Sequence, residues 1–285
     1  MPEYKDIISV VIPCREKNTP QVRGLLDQVS KQEIRAQVEV DIIEGVKPAG
    51  KARNLGAKRA RGDTLIFLDE DITLGNEKVL YNLTHALNED KTLGVCAASV
   101  LIPPDSSLFQ RMYAAQIPHS RSPVTDKIID VWVATSACCA VRKELFSALK
   151  GFNNKLPRGQ DPEFSLRVRN KGLRTVIVPQ TWFYHPLPEN LAELLRLHYR
   201  NGAATSYVDR RYPGLNIDID PRGVEHKAEA KRKVYRLFRF VGSIIGALLG
   251  LRFLLVMAKI AYAAGYFRES LRIKQPKNKS GKEKQ

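Results

Sequence analysis

The chain predicts an α/β fold, a mainly parallel central sheet with helices on both faces. Three observations carry this reading. Short apolar runs alternate with stretches of helical spacing over the first hundred residues, and alternation of this kind implies parallel strands joined by right-handed crossovers. The run Thr64-Leu65-Ile66-Phe67-Leu68 is apolar almost throughout, as a strand covered on both faces must be. It leads directly into Asp69-Glu70-Asp71, and open α/β sheets place ligands beyond the carboxyl ends of their strands.

The elements follow in order. Ile7 to Ile12 is β-branched and apolar, and Pro13 stops it. Val22, Leu25, Leu26 and Val29 give Gln21 to Lys31 a helical stripe. Val38 to Glu44 is a second strand, Lys51 to Ala60 a helix ended at Gly62, and Thr64 to Leu68 the third strand. Asn76 to Leu87 reads as helix and Gly94 to Leu101 as a fourth strand. Pro103 to Asp126, rich in Pro and Ser, reads as a loop. Ile129 to Val141 holds one or two strands, and Arg142 to Leu149 a short helix closed by Gly151. Asp161 to Asn170 is a helix with Pro162 in its first turn. Arg174 to Val178 and Thr181 to Tyr184 are short strands, and Leu191 to Val208 is a long helix. Residues 1–210 thus form one catalytic-sized domain, 211–226 a linker, 227–274 a basic and apolar helical segment, and 275–285 a disordered basic tail.

Charge separates these regions. Of the net +16, residues 222–285 hold +12, from 16 Lys and Arg against 4 Asp and Glu. The basicity therefore belongs to the C-terminal quarter, where an anionic membrane surface is the expected neighbour. Nucleic acid is not expected, because the tail lacks interleaved aromatics apart from Tyr235 and Phe238. Cys14, Cys96, Cys138 and Cys139 lie in apolar stretches without Cys-x-x-Cys spacing, which fits buried reduced thiols and a cytosolic compartment. The N-terminus has no signal-peptide character.

Asp69 and Asp71 can hold a hard divalent cation, and such an ion can neutralise a diphosphate. An acidic turn or a helix cap is the plain alternative. Gly45 to Ala52 approaches a P-loop, but Ala52 stands where a magnesium-binding hydroxyl is needed, and Pro48 gives no N–H to a phosphate cradle. No Gly-x-Gly-x-x-Gly occurs, so a dinucleotide dehydrogenase has little support.

Val10-Val11-Ile12-Pro13, Gly50-Lys51-Ala52-Arg53-Asn54-Leu55-Gly56-Ala57 and Leu65-Ile66-Phe67-Leu68-Asp69-Glu70-Asp71 resemble the nucleotide-binding half of family 2 glycosyltransferases with the GT-A fold. Ala137 to Phe146 through Gly151-Phe152, and Gly159-Gln160-Asp161-Pro162-Glu163-Phe164-Ser165-Leu166-Arg167, resemble that family's second half. The resemblance spans residues 6–210 with the motifs in the family's order.

The resemblance implies roles. Asp69 and Asp71 look like the family's Asp-x-Asp, with Asp71 the direct ligand of Mn2+ or Mg2+ and Asp69 leaning toward the ribose. His185 looks like a third metal ligand, although a lone His is otherwise a hydrogen-bonded structural residue. Asp161 resembles the catalytic base that takes the acceptor hydroxyl proton in an inverting transfer. It equally suits an N-cap before Pro162. Gln160 and Glu163 depart from the family's Glu and Asp, and would orient the acceptor. Pro13, Glu44, Arg53 and Asn54 would line the nucleotide-sugar pocket. Arg196 and Arg200, one helical turn apart, would grip the diphosphate, where the alternative is a solvated helix face.

Phe240 to Leu251 is uncharged and too short to span a bilayer, which needs about 20 residues. Extension through Tyr262 includes Arg252 and Lys259, and the insertion energy then sums to roughly zero. Gly242, Gly246 and Gly250 suit close helix packing in lipid, and Gly250 also suits a turn. The expectation is a transmembrane helix or membrane-embedded hairpin flanked by Arg232, Lys233, Arg236 and Arg239 on one side and Arg268, Arg272 and Lys274 on the other. The alternative is a soluble amphipathic pair packed on the catalytic domain.

The sequence thus predicts an inverting, metal-dependent glycosyltransferase at the cytoplasmic face of a membrane. It would use a UDP or GDP sugar and a glycan or lipid-linked acceptor. A non-catalytic nucleotide-sugar scaffold and a P-loop-like NTPase are the alternatives.

Overall fold

The computed structural model describes residues 7–117, 122–212 and 233–272. Most of the expected linker, the expected tail, and Arg232 and Lys274 lie outside them. The elements in chain order are β1 (Ile7–Cys14), α1 (Pro20–Ser30), β2 (Gln37–Glu44), α2 (Ala49–Arg59), β3 (Thr64–Leu68), β4 (Thr73–Leu74), α3 (Val79–Glu89), β5 (Leu93–Leu101), α4 (Leu108–Gln116), β6 (Ile129–Asp130), β7 (Cys138–Arg142), α5 (Lys143–Ala148), α6 (Gln160–Arg169), β8 (Arg174–Tyr184), α7 (Leu191–Arg211), α8 (Lys233–Leu249) and α9 (Phe253–Leu271).

One mixed sheet runs β2-β1-β3-β7-β5-β8-β4, with β6 also on β8. The parallel ladders β1–β2 and β5–β8 are the longest. The antiparallel strand β7 sits between β3 and β5. Because β1 has β2 on one side and β3 on the other, both in parallel, the chain reverses its winding there. That topological switch point is where an open α/β sheet carries a ligand crevice.

Both faces of the sheet are covered, which explains the continuous apolar strands. Val10, Ile12, Ile66 and Leu68 enter one core. Their alternates Val11, Leu65 and Phe67 enter the other, with Phe146, Phe152 and Phe164. The four phenylalanine rings pack with centroids 4.9–5.4 Å apart. The cysteines are all buried and unpaired, and burial pushes the Cys96 thiol up to about 12.

Several elements differ from expectation. The Pro- and Ser-rich stretch contains α4, started by a reciprocal capping box between Ser107 and Gln110. The two expected strands near residue 180 form one strand, β8, whose register against β5 shifts between Ala97 and Ser99. Pro179 and Gln180, the latter with φ 51°, sit in that irregularity.

The C-terminal helices correct the expected membrane span. No helix among the described residues is long and apolar enough to cross a membrane. Lys259, Arg268 and Glu269 interrupt α9, and one face of that helix is used inside the protein. Helices α7 and α9 run side by side in the same direction. Leu194 shares an apolar cluster with Leu254 and Ala258 at one end, and Arg210 reaches Glu269 and Ser270 at the other. Between these ends the backbones touch. A Cβ on Gly202 would stand 1.9 Å from the Tyr262 carbonyl oxygen, and one on Gly265 2.0 Å from that of Tyr199. The small-residue contact is therefore Gly202 with Gly265, whereas a Cβ at Gly242 or Gly246 would meet nothing within 4 Å. Gly250 and Leu251 make the turn between α8 and α9, with Leu251 at φ 52°.

Candidate active site

Small residues on α2 set the geometry of the site. Gly50, Ala52, Gly56 and Ala57 are its buried face. A Cβ on Gly56 would lie 2.3 Å from Val11 Cγ1, and one on Gly50 2.5 Å from Gln160 Nε2. The helix can therefore lie close to the sheet, which carries the Arg53 side chain underneath to the end of β3. Arg53 is 5% exposed and its guanidinium donates to Asp69 Oδ1 in a short ion pair. It also lies 5.6 Å from the Phe152 ring centroid. The same guanidinium attracts Asp161. Arg53 is thus a buried cation between two carboxylates that stand 92 positions apart in sequence.

Asp161 is half-buried at the start of α6, where its Oδ2 accepts from Ser136 N at 3.1 Å. Burial raises its pKa; Arg53 and the Ser136 bond oppose the rise without cancelling it, and Asp69 adds to it. Asp69 N donates to Ala137 O at 2.9 Å, so the loop before β7 holds both acids.

The third acid arrives by strand pairing. Thr73 and Leu74 of β4 pair with Tyr184 and Phe183 of β8. This places Asp71, just before β4, beside His185, just after β8. One ligand atom from each of Asp69, Asp71 and His185 lies within 4.8 Å of the others, and His185 Nε2 is 3.8 Å from Asp71 Oδ1. The His185 Nδ1 lies 2.9 Å from Pro186 O. With Nδ1–H donating there, Nε2 is left free to ligate. Two ligands bound at ~2.1 Å stand at most ~4.2 Å apart, so a small contraction suffices. Two carboxylates and one imidazole fit a divalent cation that accepts oxygen and nitrogen together.

The remaining expected residues fall into two groups. Pro13 is buried in β1 opposite Ile43. Glu44 ends β2 and accepts from Lys17 N at 3.0 Å, while Glu70 accepts from Arg15 N at 3.0 Å. These two carboxylates pin the loop after β1 at the switch point. Arg196 and Arg200 are exposed on α7. By contrast, Asn54 spends both ends of its amide on the Phe152 backbone and also donates to Asn154, each bond within 2.8–2.9 Å. Gln160 is buried against Gly50 and donates to Leu156 O. Glu163 is buried and doubly bonded to Arg167, which also ties down Leu149 and Gly151. In this structure those three side chains hold the loop before α6 and are not presented to the crevice. Gly50 is filled over by Gln160, so the Gly45 to Ala52 segment is no phosphate cradle.

Arg53 and Ser136 are the contributors that sequence reasoning misplaced or missed. A signal for Arg53 existed, since it is the one large residue on an otherwise Gly and Ala face. Ser136 acts on Asp161 through both its backbone N–H and its hydroxyl, and no local pattern in the sequence marks it for that role.

Residues 37–150 match the family described as Glycosyl transferase family 2. This segment, which holds α2, β3 and β7, is what the chain shares with that family. The chain is 29% identical over 208 residues to the succinoglycan biosynthesis protein ExoM of Rhizobium meliloti (strain 1021), covering 67% of this chain and 62% of ExoM. It is 28% identical over 150 residues to the O-antigen biosynthesis protein RfbC of Myxococcus xanthus, covering 46% of this chain and 12% of RfbC. The chain thus spans less than two thirds of either relative. Its fold is similar to that of the mannosyltransferase PcManGT from Pyrobaculum calidifontis in complex with GDP-Man and Mn2+. That likeness has a TM-score of 0.59 at 16% identity and covers 94% of this chain and 88% of the other, so the shared fold extends into the C-terminal helices.

Proposed function

We propose that the protein transfers a sugar from a UDP or GDP sugar to a hydroxyl of a glycan or lipid-linked acceptor, with inversion at the anomeric carbon. The observation that carries this reading is the meeting of Asp69, Asp71 and His185 with Asp161 across the buried Arg53, beside the β1/β3 switch point. Asp71 and His185, with Asp69, would hold a divalent cation, for which the mixed donor set favours Mn2+ over Mg2+. Such an ion supplies neutralisation of the departing diphosphate. Asp161 takes the acceptor proton as the hydroxyl oxygen attacks. Burial raises its pKa, which makes it a stronger base than an exposed aspartate. Arg53 keeps Asp161 from rising further and fixes Asp69. Arg196 and Arg200 are exposed cations available to anionic substrate groups. We place the catalytic domain on the cytoplasmic side of a membrane surface, because nucleotide sugars are cytosolic and α8–α9 are rich in exposed apolar residues.

The test is Asp161→Asn. Transfer should fall by about 10²–10⁴-fold, while Mn2+-dependent thermal stabilisation by UDP or GDP sugars stays near that of the wild type. Wild-type turnover in the variant removes Asp161 from the role.

A further inference from the structure

Asp71 and His185 depend on a strand pair too short to hold its own register. They flank the β4–β8 contact, which consists of Thr73 opposite Tyr184 and Leu74 opposite Phe183. A strand rises about 3.3 Å per residue and its side chains alternate between faces. A slip of one residue would therefore carry His185 that far along and turn its ring to the other face. Asp71 Oδ1 and His185 Nε2 stand 3.8 Å apart, and two ligands bonded to one ion at ~2.1 Å tolerate no such displacement. More than two residue pairs must fix where the end of β8 falls.

Strand β8 reaches this position through its bulge. Ile177 pairs with Ala97 and Trp182 with Ser99, so Val178 to Thr181 fit into the length that Ala98 alone spans on β5. Beyond the bulge the new register continues through Val100 with Phe183 and Leu101 with Tyr184, and His185 N donates to Leu101 O at 3.1 Å. The place of His185 is thus set by how many residues the bulge takes up. Gln180 is the left-handed residue of the bulge, at φ 51°, and it is tied from several sides. Its carbonyl oxygen accepts from Asn76 Nδ2 and from Asn82 Nδ2, both at 3.2 Å. Its N–H donates to Thr125 O at 2.9 Å, and its side-chain amide donates to Asp126 Oδ1 at 2.6 Å. Gly75 N donates to Trp182 O at 2.9 Å, so the β4–β8 contact runs on without a break from the metal ligands to the bulge. A Cβ on Gly75 would stand 2.2 Å from Trp182 Nε1, and this close approach needs glycine.

Resting on the divalent-cation site read above, we propose that Gln180, Asn76 and Asn82 are positioning residues for metal binding: they lock the length of the β8 bulge and so hold His185 beside Asp71. They act through His185 and not on the ion. The two asparagines grip the Gln180 backbone carbonyl, so the conformation at Gln180 matters more than its side chain. A left-handed position accepts glycine without strain and penalises a β-branched residue, which separates the two contributions experimentally.

The test titrates the full chain with Mn2+ and follows the unbound ion by electron paramagnetic resonance. Asn76→Ala with Asn82→Ala and, separately, Gln180→Val should raise the Mn2+ dissociation constant ~tenfold. Gln180→Gly keeps the conformation and the backbone bonds, and should stay within ~2-fold of the wild type. In a His185→Ala background the double asparagine change should shift the constant by less than ~2-fold, because the ligand through which the clamp acts is gone. Amide exchange measured in parallel should quicken at Gly75 and His185 in the clamp variants and stay unchanged at Thr175 to Ile177, where it reports an intact fold. Wild-type Mn2+ affinity in the double asparagine variant overturns the proposal. So does an equal loss with and without His185, or a loss in Gln180→Gly that matches the loss in Gln180→Val. A wild type that takes up no Mn2+ overturns the cation site itself, a result distinct from the other three.

Discussion

Replacing Arg53 by methionine removes one charge from the centre of the site and leaves most of its packing. Met preserves an unbranched stem against Phe152, so the change is chiefly electrostatic. In the wild type a guanidinium only 5% exposed faces Asp69 and lies near Asp161. Breaking a buried pair by removing one partner costs about 3–5 kcal/mol, because the remaining charge is stranded. Asp69 is 28% exposed and can recover part of its hydration, so the lower end, about 3 kcal/mol, is expected. Urea unfolding at pH 7 measures it. The functional consequence is separable. Burial already raises the Asp161 pKa, and Arg53 is the largest opposing influence. A base must be ionised to act, so the acidic limb of the kcat/KM profile should lie above the ordinary aspartate range in the wild type. In Arg53→Met it should move further up. A limb that stays in place or moves down refutes the placement of Arg53 between the two acids. An unfolding change within about 0.5 kcal/mol refutes its burial as a paired charge.

Three further expectations follow from other parts of the molecule. Asp71→Ala should abolish Mn2+-dependent nucleotide-sugar binding, and His185→Ala should raise the Mn2+ concentration needed for half-maximal activity about 10–100-fold, both read from metal titrations. Glu39 accepts from Ser9, from Arg61 N and from Arg61 Nε at 2.5–2.7 Å. Burial alone would raise its pKa, but these bonds override it and bring it to about 2. Its contribution is therefore present above pH 4.5 and lost as pH falls through 2. Urea unfolding between pH 5 and 2 should show wild type losing about 1–3 kcal/mol more than Glu39→Gln. Gly202→Val drives a Cβ into the Tyr262 carbonyl; about 1–3 kcal/mol of overpacking should appear as faster amide exchange across α9, with the β1–β3 strands unaffected.

Periodicity and local chemistry were enough to read the strands β1, β2, β3 and β5. β1, β3 and β5 are apolar runs covered on both faces and need no alternation, whereas the edge strand β2 alternates Val38, Val40 and Ile42 with Glu39 and Asp41. The pairing of Asp69 with Asp71 at the end of β3, and the motif around Asp161, were equally legible, because they depend on residues adjacent in the chain. Helix α4 was not, since its capping box sits inside a stretch dominated by Pro and Ser.

What only the tertiary structure decided depends on contacts between distant residues. The β4–β8 pairing brings His185 to Asp71, and no local pattern encodes that register. Arg53 reads locally as a surface charge on a helix, and becomes a buried bridge only because Gly50 and Gly56 let α2 lie against the sheet and Gln160. Gly242 and Gly246 display a small-residue repeat that meets nothing, while the single glycines Gly202 and Gly265 sit where two helices touch. A repeat can be read along one helix, but close approach is a property of two backbones, and their meeting is set by the whole fold.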